Sequence, residues 1–288
     1  MAVDLHIHSI YSDGTLTPRR IVQEAIRAEL TAIAIADHDT VEGVPLATEA
    51  AEGSPLEVIP AVEINVEENG REIHILGFFL DLHSPSLLKA MEVLCQSRVN
   101  RMRRFVERLT EAGVHVSLEE VLEYAGPGTV GRPHLAQVLV ARGYAGDERE
   151  AFRRYLVPGA STYVPRQHIQ ASQAIEIIRS ARGVPVLAHP AKANPPETMK
   201  EMVRLGIMGV EVYHPEQPPE QERLLLAFAR EHNLLVTGGS DYHGRSMAKD
   251  FSFAQRTCPD EHYLRLKSAA ESLRPLGPGR GDGGGDDG

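Results

Sequence analysis

The chain of 288 residues has no tryptophan, two cysteines and only 5% aromatic residues. So few aromatics advertise no stacking platform for single-stranded nucleic acid. Cys95 and Cys258 share no close motif, so neither a disulfide framework nor a thiolate metal site is implied. Positive charge is also short. A formal net charge of −10 argues against avid, non-specific binding of duplex DNA. It leaves room for an enzyme that holds one phosphorylated end, because metal ions and a few arginines can supply local positive charge. No apolar run approaches the length of a membrane span. The N-terminus carries no basic segment leading into an apolar stretch. These absences point to a cytoplasmic chain with no membrane partner.

What is present is ordinary for a soluble globular protein: 42% apolar and 24% charged residues. The length suits one sizeable domain, or one with an insertion. The first stretch, Asp4-Leu5-His6-Ile7-His8-Ser9, alternates apolar with polar residues, so a strand puts both histidines on one face. Two imidazoles two residues apart can reach one metal ion, although a polar strand face explains such a pair equally well on its own. The pair is not on its own. Asp13, Asp37-His38-Asp39, Glu63, His74, His134, His189 and Asp241-Tyr242-His243 follow, most of them closing a short apolar run that reads as a strand. Imidazole and carboxylate suit Mn²⁺, Fe²⁺ or Zn²⁺.

The chain alternates strand and helix at both ends. Thr17-Pro18 starts a helix with a capping hydroxyl and a proline at the first helical position. Ala32 to Ala36 fits a buried parallel strand. Strands over 57–63 and 71–79 follow. From 84 to 163 the rhythm becomes all-helical: a long helix through Leu87, Met91, Leu94, Met102, Phe105 and Leu109, then one with capping-box spacing at Ser117 to Glu120, then two more. The β/α rhythm resumes at 171 and ends with a helix over 260–273. The expected architecture is α/β: a distorted barrel of about seven β/α units over 1–83 and 164–274, with an all-helical insertion at 84–163. The tail, 275–288, is glycine, proline and aspartate and is expected to be disordered.

The set His6-x-His8, Asp13, Asp37-His38, Glu63, His74, His134, Leu187-Ala188-His189-Pro190 and Gly239-Ser240-Asp241-Tyr242-His243 resembles the PHP (polymerase and histidinol phosphatase) superfamily of metal-dependent phosphoesterases. The resemblance runs from about Met1 to about Phe253, and the motifs keep the family's order. It is nearest to the stand-alone bacterial branch that handles nucleotides and RNA ends. An aspartate at 13, where the histidinol phosphatase branch often has a histidine, tilts the same way. The resemblance implies two or three divalent ions, manganese first. His6, His8, Glu63 and Asp241 would hold one, Glu63, His74 and His134 a second, and Asp13, His38 and His243 a third. It implies hydrolysis of a phosphorylated small molecule, a nucleoside 3′,5′-bisphosphate or the 5′ end of a short RNA. The alternatives are histidinol-phosphate phosphatase and a non-catalytic metal-bound regulatory module.

Beside the ligands, His189 is expected to protonate a leaving group or hold phosphate, Arg132 to clamp phosphate with its guanidinium fork, and Asp37 to orient a ligand histidine. His214 ends a strand and has a weaker claim to face the site. The helix bearing Arg98, Arg101, Arg103, Arg104 and Arg108 reads either as a solvated face or as a track for an RNA backbone. His83, His115, His168, His232 and His262 are expected to face solvent.

Overall fold

A computed structural model describes residues 2–68, 71–166, 169–190, 196–244 and 251–274. His168 and the tail from 275 lie outside the described residues. The first half runs β1 (Val3–Ile7), α1 (Pro18–Arg27), β2 (Ala32–Ile35), α2 (Gly43–Ala51), β3 (Glu57–Glu68) and β4 (Arg71–Phe78). Four helices follow: α3 (Pro85–Glu111), α4 (Leu118–Ala125), α5 (Arg132–Ala141) and α6 (Glu148–Ala151), the last running into a π-helical turn at Phe152–Leu156. The chain then makes β5 (Ile169–Gln170), α7 (Ala171–Ser180), β6 (Val184–Leu187), α8 (Pro196–Leu205), β7 (Gly209–Tyr213), α9 (Pro219–Glu231), β8 (Leu235–Gly238) and α10 (Asp260–Ser272).

Local chemistry accounts for the boundaries. Thr17 Oγ1 accepts from Arg20 N at 3.2 Å, and Pro18 opens α1. In α4 the Ser117 hydroxyl and the Glu120 carboxylate satisfy each other's backbone N–H groups. The sheet runs β1-β2-β3-β4-β6-β7-β8, with the short β5 beside β3. Its ends meet where His8 N donates to Tyr242 O at 2.9 Å and Ile7 pairs with Tyr242, so the barrel is nearly closed. The alternation of strand and helix breaks once. β4 follows β3 without a helix and pairs antiparallel to both β3 and β6, because a connection this short cannot cross over to a parallel neighbour.

Two apolar clusters pack the barrel. Ile21, Val22, Ile33, Ile35, Ile64, Ile75, Ile175 and Ile178 lie where strands meet α1 and α7. Val3, Leu5, Ala34, Ile59, Leu76, Phe78 and Val186 pack with Leu266 and Ala270 of α10. A third cluster, with Met102, Phe105, Leu109, Val121, Leu135, Leu139 and Leu156, gathers the helices between α3 and Val164. The long α3 joins them: Leu87, Met91 and Leu94 belong to the barrel and Met102 onward to the helical cluster. Among the described residues no helix is long and apolar enough to cross a membrane.

Candidate metal centre

The ends of the strands deliver histidines and carboxylates to one place. His6 lies in β1 with His8 just beyond it, His38 follows β2, Glu63 lies in β3, His74 in β4, His189 follows β6, and Asp241 and His243 follow β8. Four overlapping sets have ligand atoms within 4.8 Å of one another: His8, Asp13, His38 and His243; His6, His8 and Asp241; His6, Glu63 and His189; His38, Glu63 and His74. The backbone is strained where it makes these turns. Asp39, His189 and Asp241 all take positive φ, a conformation that persists only where surrounding contacts over-determine it.

Glu63 is the hub, fully buried. Its Oε2 lies 3.4 Å from His6 Nε2, 3.3 Å from His8 Nε2 and 2.9 Å from His38 Nδ1. Its Oε1 lies 2.8 Å from His74 Nδ1 and 3.0 Å from His189 Nε2. Asp241 Oδ1 stands 3.5 Å from His6 Nε2 and 3.3 Å from His8 Nε2. Asp13 Oδ1 stands 3.3 Å from His243 Nε2 and 3.8 Å from His8 Nδ1.

The donor set fits cations. His6 Nδ1 is engaged by Glu211 Oε1 at 3.0 Å, so Nδ1 keeps its proton there and Nε2 is the atom left to face a cation. That Nε2 lies 3.1 Å from His8 Nε2 with carboxylate oxygens on either side. Three carboxylates and six imidazoles converge in one largely buried space, and a cluster of this kind is what a divalent ion satisfies. Burial pushes His38 and His189 down to about 4, which keeps both neutral at neutral pH. At His6 and His74 burial works the same way but is outweighed. Glu211, Glu63 and Asp241 hold His6 well above its ordinary value, and Glu63 and Glu72 lift His74 to about 9. Burial would raise Glu63 and Asp13, yet the surrounding imidazoles hold both well below the usual carboxylate range.

Eight of the nine expected ligands fall in these sets, and His134 does not. Its Nδ1 accepts from Gly131 N at 3.0 Å, so the neutral ring carries its proton on Nε2, and it interacts with the Ser12 backbone and Asp13. Here it ties the helical cluster to the loop bearing Asp13. His189 stands beside Glu63 and His74. Its Nε2 lies 3.0 Å from Glu63 Oε1, whose carboxylate accepts. Asp37 has no free oxygen to spend on chemistry. Its carboxylate accepts from Ser9 N (2.7 Å), Ser9 Oγ (2.6 Å) and Ser12 Oγ (2.6 Å), and it reaches His8 only through Ser12 Oγ, 3.3 Å from His8 Nδ1.

Arg132 donates to Leu156 O at 3.2 Å and keeps a quarter of its side chain exposed at the edge of the site. His214 does face inward. Its Nδ1 accepts from Glu216 N at 3.1 Å, leaving Nε2 to meet Asp241 Oδ2 at 3.3 Å. The arginine helix is not one surface. Arg98 and Arg101 turn inward, to Asp39 and to Val164 O, while Arg103 and Arg104 are exposed. His83 and His115 are exposed as expected, but His232 and His262 are half-buried against Phe228 and Tyr213.

Two functional roles escaped the sequence reading. Glu211 braces the site from behind: its Oε1 holds His6, and its Oε2 accepts from His189 N at 2.8 Å. Its signal was an acid inside the apolar run Val210-Glu211-Val212. Asp39 anchors Arg98 and Arg166, and no local pattern announces such a pairing.

The PHP domain family matches residues 4–145 of the chain. Over 249 residues the chain is 35% identical to the 5′-3′ exoribonuclease Rnm of Salmonella typhimurium, covering 83% of this chain and 84% of that protein. Over 247 residues it is 30% identical to the 3′,5′-nucleoside bisphosphate phosphatase of Chromobacterium violaceum, covering 84% and 87%. A solved structure described as a metal-dependent phosphoesterase, from Bifidobacterium adolescentis, is similar with a TM-score of 0.84 and 33% identity, over 93% of this chain and 96% of that one.

Proposed function

The chain belongs to the PHP family of metal-dependent phosphoesterases, and on that footing we propose that its substrates are phosphate esters of nucleotides: nucleoside 3′,5′-bisphosphates or the 5′ ends of short RNA. The observation that carries this reading is the buried cluster centred on Glu63, complete in ligand types, with arginines alongside it. A regulatory module that had abandoned catalysis would not need to keep the cluster whole. The two relatives that act on an RNA end and on a nucleoside bisphosphate support the nucleotide class.

Two or three bound divalent ions, manganese first, would polarise the phosphoryl oxygens and activate a water for attack. The rest is positioning, since phosphoryl transfer asks little covalent chemistry of the protein. Glu63 reaches five imidazoles and would help hold the ions with both of its oxygens. His38 and His189 present neutral lone pairs. Glu211 fixes the orientation of His6, and Ser12 that of His8. Duplex DNA is excluded from the proposal by the net charge of −10.

The deciding measurement is kcat/KM of the manganese-loaded protein on adenosine 3′,5′-bisphosphate, on a short 5′-phosphorylated RNA and on histidinol phosphate. These values compare transition-state binding directly. The nucleotide substrates should lead. Histidinol phosphate ahead by tenfold or more, about 1.4 kcal/mol, overturns the reading.

A further inference from the structure

One ligand set joins His6 and His8, in and just beyond β1, to Asp241, in the turn after β8. The strand and the turn come from opposite ends of the chain, and they meet at one atom. Asp4 Oδ1 accepts from His6 N at 3.2 Å and from Ser240 N at 2.9 Å, across 236 residues. The first donor belongs to one member of the set, and the second to the residue before another. Both backbones are irregular here. The β1–β2 register shifts between Asp4 and Ile7, and irregularities of this kind re-aim side chains. Asp241 takes a φ of 49°, which costs energy unless neighbouring contacts hold it. Gly239 lets the two segments touch. A Cβ there would lie 2.5 Å from both His6 Cβ and His6 N, and 3.0 Å from Asp4 Oδ1.

Asp4 is a costly residue to place here. It is fully buried between Val3 and Leu5, and burying a carboxylate is unfavourable unless its surroundings repay it. Its Oδ2 has no hydrogen-bond partner among the described residues. Burial pushes its carboxyl up to about 6 in spite of the donors around it. Nor does Asp4 belong to any of the four ligand sets. What it does do is satisfy two backbone N–H groups that no strand ladder takes.

We propose that Asp4 is a positioning residue: its Oδ1 pins the Gly239-Ser240-Asp241 turn to β1 and so sets Asp241 opposite His6 and His8. The proposal rests on the metal-bound reading of the cluster and adds to it a residue that need touch no ion. Asp4 acts as an acceptor at a fixed point, not as a ligand and not as a source of charge. Groups that orient metal ligands typically contribute 10–100-fold to metal affinity.

The test separates acceptor from charge. Asp4→Asn keeps an acceptor at the same point and loses the charge, while Asp4→Val loses both. The full-length chain, stripped of metal, is titrated with manganese. Asp4→Asn should bind within fivefold of the wild type, and Asp4→Val more than fivefold more weakly. A loss beyond fivefold in Asp4→Asn makes the charge the cause and overturns the proposal. So does an affinity within fivefold of the wild type in Asp4→Val, which would make Asp4 mere packing. Should Asp4→Val fail to fold, Asp4→Ala takes its place, and Asp4→Asn is judged by the same limit. Exchange of the Ser240 amide is the second readout, since it reports opening of the bond itself. It should be faster in Asp4→Val than in Asp4→Asn. If the wild type binds no manganese, the metal reading fails by itself and this exchange decides. Equal rates in the two variants then overturn the clamp, and faster exchange in Asp4→Val supports it.

Discussion

Glu211 touches no substrate in the proposed chemistry, yet two ligands depend on it. It is fully buried and holds His6 Nδ1 with one oxygen and the His189 backbone with the other. Carboxylates placed behind metal-bound histidines typically contribute 10–100-fold to metal affinity. Glu211→Gln keeps the shape and loses the charge. Its affinity for manganese in a metal titration should fall by about 10–100-fold, with the far-UV circular dichroism preserved. An unchanged affinity would mean that the brace is only packing. Asp241→Asn removes an anionic ligand near His6, His8 and His214. It should cost roughly a hundredfold or more in kcat, the several kcal/mol that metal charge supplies, while the barrel stays folded. Near-normal kcat with normal metal content would show that Asp241 is not a ligand. The residues that gather in the cluster were legible in the sequence because metal chemistry would call for these residue types at strand ends. His134 and His189 look alike there, each beside a proline, and only the hydrogen bond to Gly131 N separates them. Glu211 and Asp39 act across the fold, on partners 205 and 59 residues distant, so no local pattern could reveal them.

At the scale of elements, helix starts were the most legible feature, because Thr17-Pro18 and the Ser117–Glu120 box satisfy their own backbone groups locally. The antiparallel β4 was not read as such, though the sequence carried the signal. Asn69-Gly70 is the strongest short-range hairpin pair, flanked by the alternating runs Val62-Glu63-Ile64-Asn65 and Glu72-Ile73-His74-Ile75. Another element-level dependence is visible only in three dimensions. The segment between α4 and α5 docks on the loops after β1 and β2: Thr129 N donates to Tyr11 O, and Thr129 Oγ1 to His38 O, both at 2.9 Å. Gly128 permits that approach, since a Cβ there would lie 2.3 Å from the Tyr11 carbonyl carbon and oxygen. Gly128→Ala must push the loop away, and Asp13 with it. The expected cost is about 1–3 kcal/mol of stability, together with lowered metal content, although no ligand is altered. Thermal melts and metal analysis of the variant check both. Wild-type values in each would show that the loop yields without moving Asp13.

For the molecule as a whole, the cluster is where the barrel is drawn together. The nine ligand-grade residues come from β1, β2, β3, β4, β6 and β8 or the turns after them, nearly the whole circuit of the sheet. The barrel class was legible from the alternation of apolar strands and amphipathic helices. Its closure was not, because it depends on Ile7 meeting Tyr242 from the far end of the chain. Without cations, that junction leaves carboxylates and imidazole lone pairs facing one another in a buried space. With them, the same groups would serve as cross-braces between strands distant in sequence. A ligand that binds only the folded state adds about 2.7 kcal/mol when present at a hundred times its Kd. For a domain of this size that corresponds to a shift of about 5–10 °C in Tm. Stripping the protein with a chelator should therefore lower Tm by about that much and abolish turnover, and manganese should restore both together. If turnover is lost while Tm stays fixed, the ions serve the chemistry alone and the strands hold the barrel closed without them.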